Sequence, residues 1–235
     1  MTTFRPQPVT ALVTDVEGTT SAIDYVHRVL FPYSREALPD FLDSHQSDPA
    51  VTTLLQQLRE EVGADADPVQ TLRGWIDADV KHPVLKALQG MIWQEAFEQH
   101  GYRSHVYPDA VHQLQRWHAA GLPLHVYSSG SIQAQRLYFR HTEAGDLGGL
   151  FQRHFDTSSG PKREVESYRR IATDLALPPA GLLFLSDVEA ELDAARAAGW
   201  QTLLVARASE PTATRHPWVS DFDQIDLDAA FEPAN

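Results

Sequence analysis

Four short apolar runs constrain this chain more than any other feature: residues 9–13, 122–127, 182–185 and 202–206. Each has the length of a strand buried on both faces, where no polar side is needed to meet water. Helical spacing fills the gaps between the later runs, first at Val165, Tyr168, Ala172 and Leu175, then at Val188, Leu192 and Ala195. Strand–helix alternation predicts a parallel sheet with covering helices. Residues 34 to about 104 read differently. Val51, Leu54, Leu55, Leu58 and Val62 form one helical stripe, and Leu85, Leu88, Ile92 and Ala96 another. No strand-like run interrupts them, which predicts an all-helical insertion, with a turn at residues 63–68. Val111, Leu114 and His118 then mark a helix leading back to the sheet. The stretch after Pro217 is acidic and weakly patterned.

Composition narrows the function classes. A length of 235 residues allows one large domain or two unequal ones. The formal charge of −13 disfavours nucleic acid and anionic membranes as partners. With no cysteine, a disulfide framework, a thiolate metal site and a cysteine nucleophile are all excluded. No apolar run is long enough to span a bilayer, and the N-terminus lacks the pattern of a signal peptide. The expectation is a cytoplasmic protein.

Three of the apolar runs end in residues suited to chemistry: Asp15, Ser128 with Ser129, and Asp187. Ligands of open α/β sheets bind outside the carboxyl ends of the strands, so parallel strands would bring these residues to one rim. Asp15 suits a nucleophile in phosphoryl transfer, with Glu17 two residues on and Gly18 allowing a tight turn. Taken alone, such a pattern equally fits an Asx turn. Ser128, Ser129 and Gly130 suit an anion cradle, although Ser129 or Ser131 also suits the N-cap of a helix starting at Ile132. Lys162, in a loop, would neutralise phosphate charge. Asp187, opposite Asp15, makes a hard-oxygen site for Mg²⁺, whereas Glu189 reads as an ordinary acidic helix start. His105, His112, His118 and His125 lack ligand spacing and are assigned to surface or core.

In order and type, these residues resemble the haloacid dehalogenase superfamily of phosphotransferases. Longer segments are similar to its enolase-phosphatase family of methionine salvage: Asp15-Val-Glu-Gly-Thr-Thr20, Leu30-Phe-Pro-Tyr33, Leu88-Gln-Gly90 with Trp93, Val126-Tyr-Ser-Ser-Gly-Ser131, His154-Phe-Asp-Thr157 and Phe184-Leu-Ser-Asp187. The likeness covers residues 10–206. Glu17 is its telling position, since most phosphatases of the superfamily carry Asp there.

The resemblance implies a Rossmann-like core of residues 1–19 and 106–235, with a helical cap, 20–105, that closes over the substrate. It implies Asp15 as nucleophile and Mg²⁺ ligand. Glu17 joins the metal site through its carbonyl and is the candidate acid/base. Ser128, Ser129 and Lys162 bind the phosphate, Asp187 completes the metal site, and Glu191 orients Lys162. One Mg²⁺ per subunit, a small phosphate ester as substrate and a monomeric state are expected. The reaction implied is enolisation and dephosphorylation of 2,3-diketo-5-methylthiopentyl-1-phosphate to the acireductone. Three rivals fit less well. A dehalogenase would leave Glu17 and Asp187 idle, and another capped phosphatase would not share the matching cap residues. A phospho-receiver domain is about half this length and has no insertion.

Overall fold

The computed structural model describes residues 3–227. Strand β1 (Ala11–Thr14) is buried at every position, as a continuous apolar run requires. Helix α1 (Ile23–Tyr25) is a single turn that passes into a π-helical stretch, Val26–Leu30, and then α2 (Phe31–Ser44). Helices α3 (Pro49–Val62), α4 (Pro68–Asp77), α5 (Pro83–Glu98) and α6 (Pro108–Ala119) follow. The chain then runs through β2 (Leu124–Tyr127), α7 (Ile132–Arg140), β3 (Phe151–Phe155), α8 (Val165–Leu175) and β4 (Leu182–Ser186). It finishes with α9 (Glu189–Ala197), β5 (Gln201–Val205) and β6 (Trp218–Val219).

These elements form two compact units. Asp24–Arg103 is one, and the described residues on either side of it form the other. The first unit holds helices and no strand among its described residues. Its α3, α4 and α5 each begin with proline, whose missing N–H costs nothing in a first turn. Asp48, Asp67 and His82 cap those helices by accepting from the amides of Ala50, Val69 and Val84. The expected stripe is present in part: Val51 and Leu58 are buried, while Val62 at the helix end is exposed. They pack with Leu38, Phe41, Leu72, Leu88 and Ile92 into a core of this unit's own.

In the other unit the described strands form one parallel sheet, ordered β3-β2-β1-β4-β5-β6. One face buries Ala11, Val13, Tyr127 and Phe184 against Tyr168 and Ile171 of α8, Leu192 of α9, and Trp200. Each fully buried aliphatic or aromatic side chain there contributes roughly 1.5–3 kcal/mol. Three features depart from the sequence reading. β3 was not expected as a strand, because an edge strand alternates: Phe151 and Phe155 are buried, Gln152 and Arg153 exposed. Helix α6 buries Ala110, Gln113, Leu114 and Trp117, so His118 lies on its outer face. The weakly patterned C-terminal stretch carries β6 and buries Val219, Phe222 and Ile225. Its part beyond residue 227 lies outside the described residues.

Candidate active site

The topology prepares the site. From β1 the chain builds β2 and β3 on one side, then returns to add β4, β5 and β6 on the other. Strand order therefore reverses at β1, and crevices at such switch points are where open sheets bind ligands. Thr14 is level with Val126 of β2 and Leu185 of β4. Asp15, Ser128 and Asp187, which follow those strands, accordingly emerge on one rim. The Asp15 N–H still donates to the Leu185 carbonyl at 2.9 Å, extending the ladder to the edge of the crevice.

Lys162 stands at the centre of the charged cluster. Its Nζ lies 2.6 Å from Oδ1 of Asp15 and 2.7 Å from Oε2 of Glu191, and all three side chains are buried. The Ser186 hydroxyl donates to the same Glu191 oxygen at 2.9 Å. Burial disfavours the lysine charge, but Asp15 and Glu191 outweigh it and hold the ammonium above the usual lysine range. Burial, reinforced by Asp15, pushes the Glu191 carboxyl up. The loop bearing Lys162 is tied down by hydroxyls: Tyr168 donates to the Lys162 carbonyl at 2.7 Å, and Tyr127 to the Gly160 carbonyl at 2.8 Å. Gly160 has φ +123°, and a Cβ there would stand 2.2 Å from the Ser167 hydroxyl. Only glycine fits.

Asp187 packs against the loop after β1. Its N–H donates to the Thr19 hydroxyl at 3.0 Å, and that hydroxyl donates to Oδ1 of Asp187 at 3.2 Å. Burial, then the Asp15 charge, push the Asp187 carboxyl up to about 6. Glu17 is half-buried on the same loop, with its backbone bridged to Ser21. Ser128 is buried; its N–H donates to the Phe155 carbonyl, and its hydroxyl accepts from the Gly130 N–H at 3.1 Å. Ser129 is half-buried beside it. Of the two cap candidates, Ser131 caps α7, accepting from the Ala134 N–H at 3.2 Å.

The tertiary structure thus brings Asp15, Lys162 and Glu191 into direct contact and sets Asp187 on the Asp15 loop. No local sequence pattern marks Thr19 and Ser186, which hold Asp187 and Glu191. Asp156 is likewise unmarked as a single residue. That carboxylate accepts from the first amide of α7 at 3.2 Å and from the Ser158 N–H at 2.8 Å. The only signal was its place in the His154–Thr157 segment.

Among the described residues no three His, Cys, Asp or Glu side chains form a metal cage. Mg²⁺ does not need one, because it binds through one or two carboxylates and keeps water and substrate phosphate for the rest. Asp15 and Asp187 supply two hard-oxygen donors. The upward displacement of Asp187, driven in part by Asp15, is the electrostatic cost that a divalent cation between them would relieve. These residues fit the ion.

No family model matches the chain. An enolase-phosphatase E1 from Erwinia tasmaniensis is 51% identical over 92% of this chain and 96% of its own length. The UTR4 protein of Saccharomyces cerevisiae, a solved structure, aligns with a TM-score of 0.78 at 30% identity, covering 92% of this chain and 99% of that one. An L-2-haloacid dehalogenase from Xanthobacter autotrophicus, 20% identical, covers 86% of this chain and 79% of its own with a TM-score of 0.52. That last likeness concerns the fold alone.

Proposed function

The chain belongs to the enolase-phosphatase E1 family, and from that premise we propose how its residues divide two reactions. The protein is a hydrolase of methionine salvage that enolises 2,3-diketo-5-methylthiopentyl-1-phosphate and then releases phosphate to leave the acireductone. In our reading Lys162 engages Oδ1 of Asp15, and in-line attack falls to Oδ2. The new bond runs from Oδ2 to phosphorus as the bond from phosphorus to the C1 oxygen breaks. Glu17 gives the departing oxygen its proton. Water then cleaves the aspartyl phosphate and restores the Asp15 carboxylate, with Glu17 taking a proton from that water.

Ser128 and Ser129 hold the phosphate through both reactions, and Lys162 offsets its charge. Glu191 keeps the ammonium aimed, since removing it would leave Lys162 one carboxylate partner instead of two. Asp15, Asp187 and the Glu17 carbonyl would hold one Mg²⁺, which when bound supplies a Lewis acid for a carbonyl or phosphoryl oxygen. We assign the helical unit the role of a cap that excludes water from the reaction. A monomer acting on a small soluble ester in the cytoplasm completes the reading. No described helix is long and apolar enough to cross a membrane.

The observation that carries this reading is the buried Lys162 shared by Asp15 and Glu191 at the switch point of the sheet. Product analysis after incubation with the diketo phosphate and Mg²⁺ tests it. Acireductone and inorganic phosphate in equal amounts are expected. Phosphate released with the diketone skeleton unchanged would instead mark a simple phosphatase.

A further inference from the structure

Arg207 lies just past the end of β5, outside every motif singled out from the sequence. Its guanidinium lies close to two rings, 4.2 Å from the centroid of Tyr107 and 5.0 Å from that of Phe222. Its Nη1 pairs with Oδ2 of Asp109 at 2.6 Å, and both side chains are nearly enclosed, at 11% and 15% exposure. The same Asp109 oxygen accepts from the Phe222 N–H at 2.7 Å, which fixes the carboxylate from a second side. The two ring contacts and the two-partner carboxylate restrict how the guanidinium can turn, although its buried Nη2 has no hydrogen-bond partner among the described residues.

The Nε atom points at the loop after β1. It donates to the Thr19 carbonyl at 3.0 Å, and the neighbouring Thr20 carbonyl accepts from the Tyr107 N–H at 2.9 Å. Thr19 is therefore gripped at both ends, by Arg207 on its carbonyl and by Asp187 on its hydroxyl. A pair enclosed this fully costs desolvation, so the contact with Asp109 is weak evidence of net stability. The fork geometry of arginine, spanning a backbone carbonyl and a carboxylate at once, is what the arrangement uses.

We propose that Arg207 is a positioning residue for the metal site: by holding Thr19 it keeps the Thr19 hydroxyl on Asp187, and so fixes where that carboxylate stands relative to Asp15. The proposal rests on the reading of Asp15 and Asp187 as Mg²⁺ ligands. Lysine cannot replace arginine here, since an ammonium reaching the Asp109 carboxylate has no second arm for the Thr19 carbonyl.

Calorimetric titration of Mg²⁺ alone into the full-length protein tests this without reference to turnover. Arg207→Ala and Arg207→Lys should each weaken Mg²⁺ binding about tenfold relative to wild type. The decisive measurement repeats the titration in a Thr19→Val background, where the hydroxyl link is already cut. There the Arg207 substitutions should cost no more than about twofold, because both changes break one chain of contacts. Arg207→Lys retains the charge facing Asp109 and serves as the folded comparison should Arg207→Ala unfold. Wild-type Mg²⁺ affinity in Arg207→Lys, or an equal loss in both backgrounds, would overturn the proposal. The functional reading fails separately, if the wild-type protein binds no Mg²⁺ or makes no acireductone from the diketo phosphate.

Discussion

A methyl group added at Gly18 would stand 2.1 Å from Oδ2 of Asp187. Gly18 also has φ +81°, a backbone region that L side chains avoid. Asp187 is thus packed directly onto the loop that carries Asp15. Gly18→Ala should displace the Asp187 carboxylate, because a short side chain yields more easily than two backbone segments. The expected stability loss is small, about 1–2 kcal/mol from the left-handed backbone. Phosphate release should fall at least a hundredfold, with most of the fold intact. A circular-dichroism melt alongside a phosphate assay checks this, and a variant with wild-type turnover would show that Asp187 has no part in the site.

Asp15→Asn should remove phosphate release, since an amide cannot attack phosphorus and loss of a nucleophile costs several decades in rate. In the proposed division of labour, proton abstraction at C1 does not use that nucleophile. At Mg²⁺ concentrations that saturate its weakened site, the variant should still exchange the C1 protons of the diketo phosphate in D₂O. NMR reads the exchange directly. Absence of exchange above the uncatalysed rate would place Asp15 in the enolase step as well.

Lys162 is the ammonium between two buried carboxylates, so Lys162→Met strands both of them. Removing one partner of a buried ion pair costs about 3–5 kcal/mol. Glu191→Gln should be milder, because the amide oxygen still accepts from Lys162 or Ser186. Urea unfolding of the two variants should therefore rank them far apart, with Lys162→Met the weaker protein. Equal midpoints would mean that the pair with Glu191 carries the whole effect and that Asp15 adds nothing to it.

With Asp187 proposed as a Mg²⁺ ligand and its carboxyl pushed up to about 6 by burial and Asp15, protons should compete with the ion. Mg²⁺ binding, measured by calorimetry, should weaken about tenfold per pH unit below about 6 and flatten above it. Chelator should abolish turnover and added Mg²⁺ restore it. Full activity in excess EDTA would remove the ion from the mechanism.

Two histidines on the sheet set an acid limit on stability. Burial, with Arg153 beside His125 and Arg136 beside His154, pushes both down to about 4 from the ordinary value near 6.5. Between those values the unfolded chain takes up protons that the folded one refuses. The histidine contribution to stability should therefore fall as pH drops from about 6.5 to about 4, by up to about 1.4 kcal/mol per unit for enclosed His125 and less for half-buried His154. The raised Asp187 carboxyl, which takes up a proton in the folded state below about 6, works in the opposite direction. His125→Gln should make the pH dependence of the melting temperature shallower. An unchanged slope would exclude His125 as a source of the acid sensitivity.

The parallel sheet was legible in the sequence because strands buried on both faces are mainly apolar, and β1, β2, β4 and β5 are, with buried exceptions such as His125 in β2 and Thr202 in β5. The helices of Asp24–Arg103 were legible for a related reason: a helix against a small core needs one apolar stripe, and α3 and α5 carry it. Asp15, Ser128 and Asp187 could be picked out because each follows such a strand. β3 and β6 escaped because an edge strand of alternating character, or one of two residues, has no period long enough to read. What only the tertiary structure decided is contact between residues far apart in the chain. That Lys162 serves Asp15 and Glu191 together follows from the strand order that places β1 beside β4, and no local pattern encodes a strand order. That Arg207 reaches back 188 positions to the Thr19 carbonyl has no sequence signature, because a backbone carbonyl is the same acceptor at every residue. Local periodicity reports which side of an element is buried; the identity of what it is buried against is settled when the elements pack.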